Sequence, residues 1–286
     1  MQWLIEDREI GSFVTLGDFY RNTIIYLRYI LVPMYFSLGI YFVRCIKAGK
    51  SYKLISYTLL ALLIINVVVG LLNNDDRLKG LFDNTATLSS LGLITIYFAL
   101  LSDGKKYYVT FAILMSLLAI FLSKTLSAYV ALLIFTIFYC LRINRPHIYS
   151  LVITFVLSAI ITISGMSEDI LSLLSQHVYI GSLLNRIATW SGLVGFLGSL
   201  DSILFGLGAF PVFTDNIFVW LICGFGVFGM IFLSYVNAIA SKSRECSLFI
   251  TIILWQGILF PGYIMPYAIF STFFILGVLF SSDRAK

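Results

Sequence analysis

The sequence predicts an all-α protein, a polytopic transmembrane helix bundle of about nine spans, and three observations predict it. First, 60% of the 286 residues are hydrophobic and only 12% are charged, with a mean hydropathy of +0.98. Soluble domains carry about 25% charged residues, so the polar surface that would coat a water-facing globule is missing. Second, apolar runs of about 20 residues, the length needed to cross a hydrocarbon core, recur along the whole chain. Third, the polar breaks between them alternate in charge. No segment large enough to fold alone separates the runs, so residues 1–286 read as a single integral membrane domain.

The spans are expected near 24–43, 52–72, 86–102, 107–123, 125–142, 148–165, 217–239, 247–262 and 264–281. Arg44, Lys47, Lys50 and Lys53 fill one break, Lys105 and Lys106 the next but one, then Arg142 and Arg145, then Lys242 and Arg244. With Arg284 and Lys286 these are 12 of the 19 basic residues, and the positive-inside rule turns their side of the bundle to the cytoplasm, with the C-terminus. The other side receives Asp75, Asp76, Asp83, Glu168, Asp169, Asp201 and Asp215. Residues 1–22 fall on that outer side, and Met1-Gln2-Trp3 has neither the basic start nor the cleavage site of a signal peptide. An outer start without a leader is expected of a chain shortened relative to a longer ancestor.

One outer segment, about 166–216, is much longer than the rest. Ser167-Glu168-Asp169 opens a run through Leu174 as a capped helix would, a serine followed by acids in the first turn. Leu183, Ile187, Trp190, Val194 and Leu197 recur at spacings of four and three, one face of an amphipathic helix lying along the interface. Phe205-Gly206-Leu207-Gly208 and Pro211 then break the pattern. A long, partly apolar outer loop suits a substrate with a greasy tail and a polar head.

Metal chemistry finds little support: His147 and His177 are the two histidines, and Cys45, Cys140, Cys223 and Cys246 are scattered without ligand spacing. His177 reads as a polar-face residue. Gly224-Phe225-Gly226-Val227-Phe228-Gly229 has the spacing of a dinucleotide fingerprint but lies in an apolar run with no preceding strand. Its glycines read as close helix packing.

The candidate site residues are mostly cations. Arg186 is the one basic residue between Arg145 and Lys242, and its forked guanidinium suits a phosphate or diphosphate. The alternative is an arginine snorkelling to lipid head groups beside Trp190. Arg28 lies inside the outer end of the first span, where a charge costs about 2.5–3.5 kcal/mol on insertion scales, so it is expected to face a cavity or a partner, unless it snorkels. Arg77 and Lys79 sit in the second outer loop, which could equally be plain solvated chain. Lys124 is the single charge of a tight outer turn, either a phosphate ligand or a wetting residue. Asp215-Asn216 opens the span after the long loop; the carboxylate is placed to act as a general base, and helix capping explains the same pair.

The order of these residues resembles the bacterial O-antigen polymerase and O-antigen ligase superfamily. In that family an arginine followed by a tryptophan opens the long periplasmic loop, a Gly-x-Gly turn precedes a His-Asn or Asp-Asn pair, and the next span carries spaced glycines. Here those elements are Arg186 and Trp190, Gly206 and Gly208, Asp215 and Asn216, then Gly224, Gly226 and Gly229. Lys79-Gly80-Leu81-Phe82-Asp83-Asn84 looks like the family's Gly-Leu-Phe-x-Asn loop, and Ser123-Lys124-Thr125-Leu126-Ser127-Ala128 like its Ser-Arg-Ser/Thr turn, with lysine in place of arginine. The match covers roughly 75–235. The family usually has about a dozen spans, so the start departs from it, and aspartate at 215, where ligases tend to have histidine, favours the polymerase branch.

The resemblance implies a metal-independent, cofactor-free glycosyltransferase of the bacterial inner membrane, its long loop periplasmic. It would join undecaprenyl-diphosphate-linked repeat units into O-antigen or a similar surface polysaccharide. Its partners would be that lipid-linked glycan, membrane lipid and a chain-length regulator, not nucleic acid. It further implies Arg186 as principal diphosphate clamp, Arg77, Lys79 and Lys124 assisting with Arg28 and Asn216 in substrate binding, and Asp215 as base. Rival readings are a ligase with the same donor, a polysaccharide flippase or transporter, which would show mid-span polar groups and repeated halves, and a structural subunit without chemistry.

Overall fold

A computed structural model of the chain describes residues 23–25, 27–46, 48–73, 77–82, 84–102, 104–164, 181–195, 197–207, 216–258, 263 and 268–283. The expectations for residues 1–22, Asp75, Asp76, Asp83, the capped run 167–174, His177 and Asp215 lie outside the described residues. Within them every regular element is helical: α1 (Val32–Ile46), α2 (Ala48–Leu72), α3 (Thr85–Leu101), α4 (Lys106–Ser123), α5 (Leu126–Cys140), α6 (Pro146–Ser164), α7 (Gly181–Gly195), α8 (Leu200–Phe205), α9 (Ile217–Phe225), α10 (Val227–Ala240), α11 (Arg244–Gly257) and α12 (Ile269–Asp283). A short helical segment, Thr23–Ile30, precedes α1 at a bend of 41°.

Among the described residues three helices, over Lys50–Leu72, Lys106–Ser123 and Pro146–Ile163, are long and apolar enough to cross a membrane, and a fourth joins them if Thr23–Ile30 and α1 are one bent span. Thr85–Leu101, Leu126–Cys140, Val227–Ala240 and Ile269–Ser281 are apolar but shorter. Leu54, Leu62, Ile65, Val68 and Leu71 of α2, and Val152, Val156, Ile160 and Ile163 of α6, are exposed. Apolar faces of that extent want a hydrocarbon solvent rather than water.

The centre of the bundle is α11. It is buried almost throughout, from Cys246 to Leu254 and again at Gln256 and Gly257, and packs against α3, α5, α6, α10 and α12. Its join to α6 is polar. Ser150, Thr154, Ser158 and Thr162, spaced by four, form a buried hydroxyl stripe on α6. Ser150 Oγ donates to Thr251 Oγ1 at 3.5 Å and accepts from Trp255 Nε1 at 3.2 Å, while His147 Nδ1 meets Ser247 Oγ at 2.6 Å. Between apolar helices in lipid, such hydroxyl contacts and small residues replace the hydrophobic drive to associate.

Helices α1 and α12 are held together by glycines. A Cβ at Gly39 would run into Phe274 O and come 3.0 Å from Gly277 Cα, and one at Gly277 would run into Phe36 O. The two backbones touch where no side chain intervenes.

The largest departure from expectation is the run 217–239, which is two helices, α9 and α10, broken at Gly226. Gly226 has φ 58° and ψ −135°, a conformation essentially restricted to glycine. A Cβ at Gly229 would collide with Leu221 O. Residues eight apart in one straight helix are about 12 Å apart, so the chain folds back on itself here and is not one straight span.

Candidate functional site

Contacts between helix ends sort the basic residues. Tyr97 Oη donates to Glu245 O at 2.7 Å, joining the end of α3 to the start of α11, and Arg244 Nη2 donates to Tyr139 O at 3.2 Å, joining it to the end of α5. His147 Nε2 lies 3.1 Å from Ser241 Oγ, and Ser56 Oγ lies 2.6 Å from Tyr108 Oη. These contacts bring the segments carrying Lys50, Lys53, Lys105, Lys106, Arg142, Arg145, Lys242 and Arg244 to one end of the bundle. The candidate cations Arg77, Lys79, Lys124 and Arg186 are on segments that meet toward the other end, in two places.

The first place is built on Asn66. This residue is 3% exposed near the end of α2, an expensive position for a polar group in an apolar helix unless it is hydrogen-bonded. Its Nδ2 donates to Leu62 O at 2.8 Å, and its Oδ1 accepts from Leu81 N at 2.9 Å. Gly80, at φ 69°, lies so close that a Cβ there would come 2.6 Å from Asn66 O. Leu78 is buried in a cluster with Leu63, Val67, Leu88 and Ala119, and its amide donates to Leu122 O at 3.1 Å. The segment 77–82 is thereby pinned to α2 on one flank and to α4 on the other.

The α4–α5 turn completes this place. Lys124 caps α4 with φ 51° and ψ 40°, in the left-handed region, and its amide donates to Phe121 O at 3.2 Å. Arg77 Nη2 donates to Lys124 O at 2.6 Å. Two turns far apart in sequence become one platform, and Arg77, Lys79 and Lys124 are all exposed on it.

The second place is where α6, α7 and α9 meet. Ile187 and Trp190 of α7 are buried against Val219 and Cys223 of α9, with Ile161, Leu193, Val194 and Leu197 around them. Of the expected apolar stripe, Ile187, Trp190 and Val194 are thus helical and packed against protein, Leu197 joins them from beyond α7, and the side chain of Leu183 lies outside the described residues. Ser191 Oγ donates to Thr162 O at 2.6 Å and ties α7 to the end of α6. Arg186, one residue before Ile187, is half-buried in this corner. Asn216 is fully buried: Oδ1 accepts from Phe218 N at 2.9 Å and Val219 N at 3.2 Å, and Nδ2 donates to Ser158 Oγ at 3.1 Å. It caps α9 and fixes that helix to α6, which is the capping alternative read from sequence. Asp215, its neighbour, lies outside the described residues.

Next to this corner the glycines gather. Gly206, at φ 74°, would drive a Cβ to 2.5 Å from Gly224 C, and a Cβ at Gly226 would come 2.5 Å from Ile203 O. Breaking the helix at Gly226 frees Cys223 O from its ordinary partner four residues on, and Leu207 N takes it at 2.7 Å. Gly206, Gly224, Gly226 and Gly229 therefore dock the α8 segment onto the α9–α10 break, as close packing and not as a nucleotide loop.

Arg28 does not join either place. It is exposed on Thr23–Ile30 between exposed Leu27 and Ile30, so no cavity among the described residues receives it, and a partner or snorkelling to lipid head groups is left for it. None of the four cysteines is in a disulfide; Cys45 and Cys140 are exposed, Cys223 and Cys246 buried. Sequence reasoning passed over Asn66 and the α6 stripe. Both carried a signal: a lone amide in an apolar run, and hydroxyls at every fourth position from 150 to 162.

No family model, curated protein or solved structure matches this chain.

Proposed function

We propose that the chain polymerises polyprenyl-diphosphate-linked oligosaccharide units at the outer face of a bacterial inner membrane. The single observation that carries this reading is the sorting of cations. One end of the bundle gathers a dense basic belt, and the other end carries a sparse set placed singly on built turns: Arg77, Lys79 and Lys124 on one platform, Arg186 in the α6–α7–α9 corner. The belt is the side retained in the cytoplasm, which turns the sparse set outward, where lipid-linked glycans are joined.

The chemistry follows from the leaving group. When an acceptor hydroxyl attacks the anomeric carbon of the donor, the C–O bond to the diphosphate breaks and the lipid diphosphate leaves with the bonding pair. A base takes the hydroxyl proton. Positioned cations that meet the developing charge are the largest catalytic lever in such a step. Arg186 is assigned to clamp the departing diphosphate, Lys79 and Lys124 assist, and Asp215 takes the proton. Asn216 orders the start of α9 next to that carboxylate, and Arg28 meets lipid head groups. A ligase would use the same donor apparatus with a different acceptor.

Transport is the reading favoured by the broken helix, since transporters bind ions at unwound backbone. Here one carbonyl freed by the break, that of Cys223, is already taken within the chain, by Leu207 N, and Gly206 packs on the Gly224 backbone beside it, which favours a packing role for the break.

The test is Arg186→Ala beside Arg186→Lys, each expressed in a strain deleted for the polymerase, with polysaccharide chain length read on gels. Loss of one charge-stabilising donor slows such steps by about 10²–10³, so the alanine variant leaves single-unit product, and the lysine variant restores short chains. A full-length ladder from the alanine variant removes Arg186 from the mechanism.

A further inference from the structure

We propose that Arg77 is a positioning residue, a latch that joins the 77–82 segment to the α4–α5 turn and so sets Lys79 and Lys124 on one surface. Its diphosphate-binding consequence rests on the polymerase reading above; the latch itself does not.

The geometry separates Arg77 from its two lysine neighbours. Its guanidinium is engaged at 2.6 Å with a backbone carbonyl, that of Lys124, the shortest polar link between the two turns. That carbonyl belongs to the residue whose left-handed φ of 51° sets the direction in which the chain leaves α4. A non-glycine residue holds this conformation at a penalty and persists in it when its surroundings over-determine it. A second link, Leu78 N to Leu122 O at 3.1 Å, lies next to the first, between the following residue of one segment and a residue at the end of α4 in the other. Together they make a two-point clasp. Leu78 anchors it below in the apolar cluster, and Asn66 holds the far side of the segment through Leu81 N. Among the described residues no side-chain hydrogen bond ties Lys79 down, and it is exposed between the two anchors. In this arrangement an N–H of the Arg77 guanidinium is committed to a backbone carbonyl of the chain itself. The lysines on either side keep their ammonium groups for an anion.

The experiment uses the full chain in lipid nanodiscs and two readouts. Cleavage at Lys79 by a lysine-specific protease reports whether the segment is docked, and binding of farnesyl diphosphate reports whether the platform holds an anionic prenyl head. Arg77→Met removes the donor at similar bulk, and cleavage at Lys79 rises by about tenfold or more, because a local opening is made easier. Arg77→Lys keeps a charged N–H donor and, with cleavage scored by mass at the Lys79 bond and not at the new lysine, stays within about threefold of the parent in both readouts. Lys124→Gly is the converse variant. Glycine suits the left-handed position and retains the carbonyl that Arg77 needs, so Lys79 stays protected while farnesyl diphosphate binding weakens.

Parent-like protection of Lys79 in Arg77→Met overturns the latch. Faster cleavage in Arg77→Met with unchanged farnesyl diphosphate affinity overturns the positioning role. A parent protein that shows the protection difference but binds no farnesyl diphosphate supports the latch and overturns the diphosphate reading of the platform. Should Arg77→Met not fold, Arg77→Gln replaces it. That variant has a shorter reach and no charge, and its protection at Lys79 must fall below that of Arg77→Lys.

Discussion

At the scale of single residues, glycines with positive φ decide where the chain turns. Gly226 sits at φ 58° and ψ −135°, and its missing side chain leaves room for Ile203 O and Leu204 O. Gly226→Ala must both adopt a strained backbone, at about 1–3 kcal/mol, and push the α8 segment away. The expected result is a lower apparent Tm and loss of protection around 203–207, measured by thermal unfolding and hydrogen exchange in detergent. Gly192 is the matching control. It lies inside α7 with nothing within 4 Å of a Cβ, so Gly192→Ala gains helix propensity, up to about 1 kcal/mol, and raises the melting temperature or leaves it unchanged. Equal effects at the two positions would contradict the packing described for Gly226. The residue scale is also where sequence reading reached least far. Cation identity was legible, because arginine and lysine stand out in apolar surroundings. That Arg77 spends its guanidinium on a carbonyl was not legible, because any residue could have supplied that carbonyl and the partner lies 47 positions away. Asn216 was legible as one of two alternatives, since the residue type that caps a helix is also one that can hydrogen-bond a sugar.

At the scale of elements, hydropathy placed a helix in each expected apolar run, because length and composition are local properties. It missed the break between α9 and α10. The run 217–239 is apolar up to Ser234, with no polar side chain near the break, and what bends it is a partner twenty positions upstream, Gly206 with Leu207, which seats against the Gly224–Gly226 backbone. A glycine alone does not say whether it packs, bends or caps. The pairing of α1 with α12 belongs to this scale too. Gly277→Val places bulk against Phe36 O and forces the two backbones apart, an overpacking penalty of about 1–3 kcal/mol or more. Its expected signs are a lower folded yield and a lower Tm. Gly277→Ala is milder but still destabilising, since its Cβ already meets that carbonyl. An alanine variant as stable as the parent would mean that the two helices are not in backbone contact.

At the scale of the whole molecule, the charge pattern and the contacts between helix ends come together. The basic residues of the α2 start, the α3–α4 link, the α5–α6 link and the α10–α11 link share one end. The proposed orientation puts that end in the cytoplasm, by the positive-inside rule. In a background with the four cysteines replaced by serine, Lys79→Cys and Asn144→Cys report the two ends, both positions being exposed. A membrane-impermeant thiol reagent added to intact cells should label position 79 and reach position 144 only after permeabilisation. The reverse pattern would put the sparse cations in the cytosol and end the polymerase reading.

The glycine crossing of α1 and α12 also bears on how the protein is made. The flank of α1 around Gly39 is completed by residues 273–278, among the last described helix to leave the ribosome. At about 5–20 residues per second, that flank waits on the order of tens of seconds in the bilayer with its groove unfilled. During that interval the nascent chain is open to membrane proteases and to capture by another copy's α12. Arrival of α12 is therefore the step that fills the groove at Gly39.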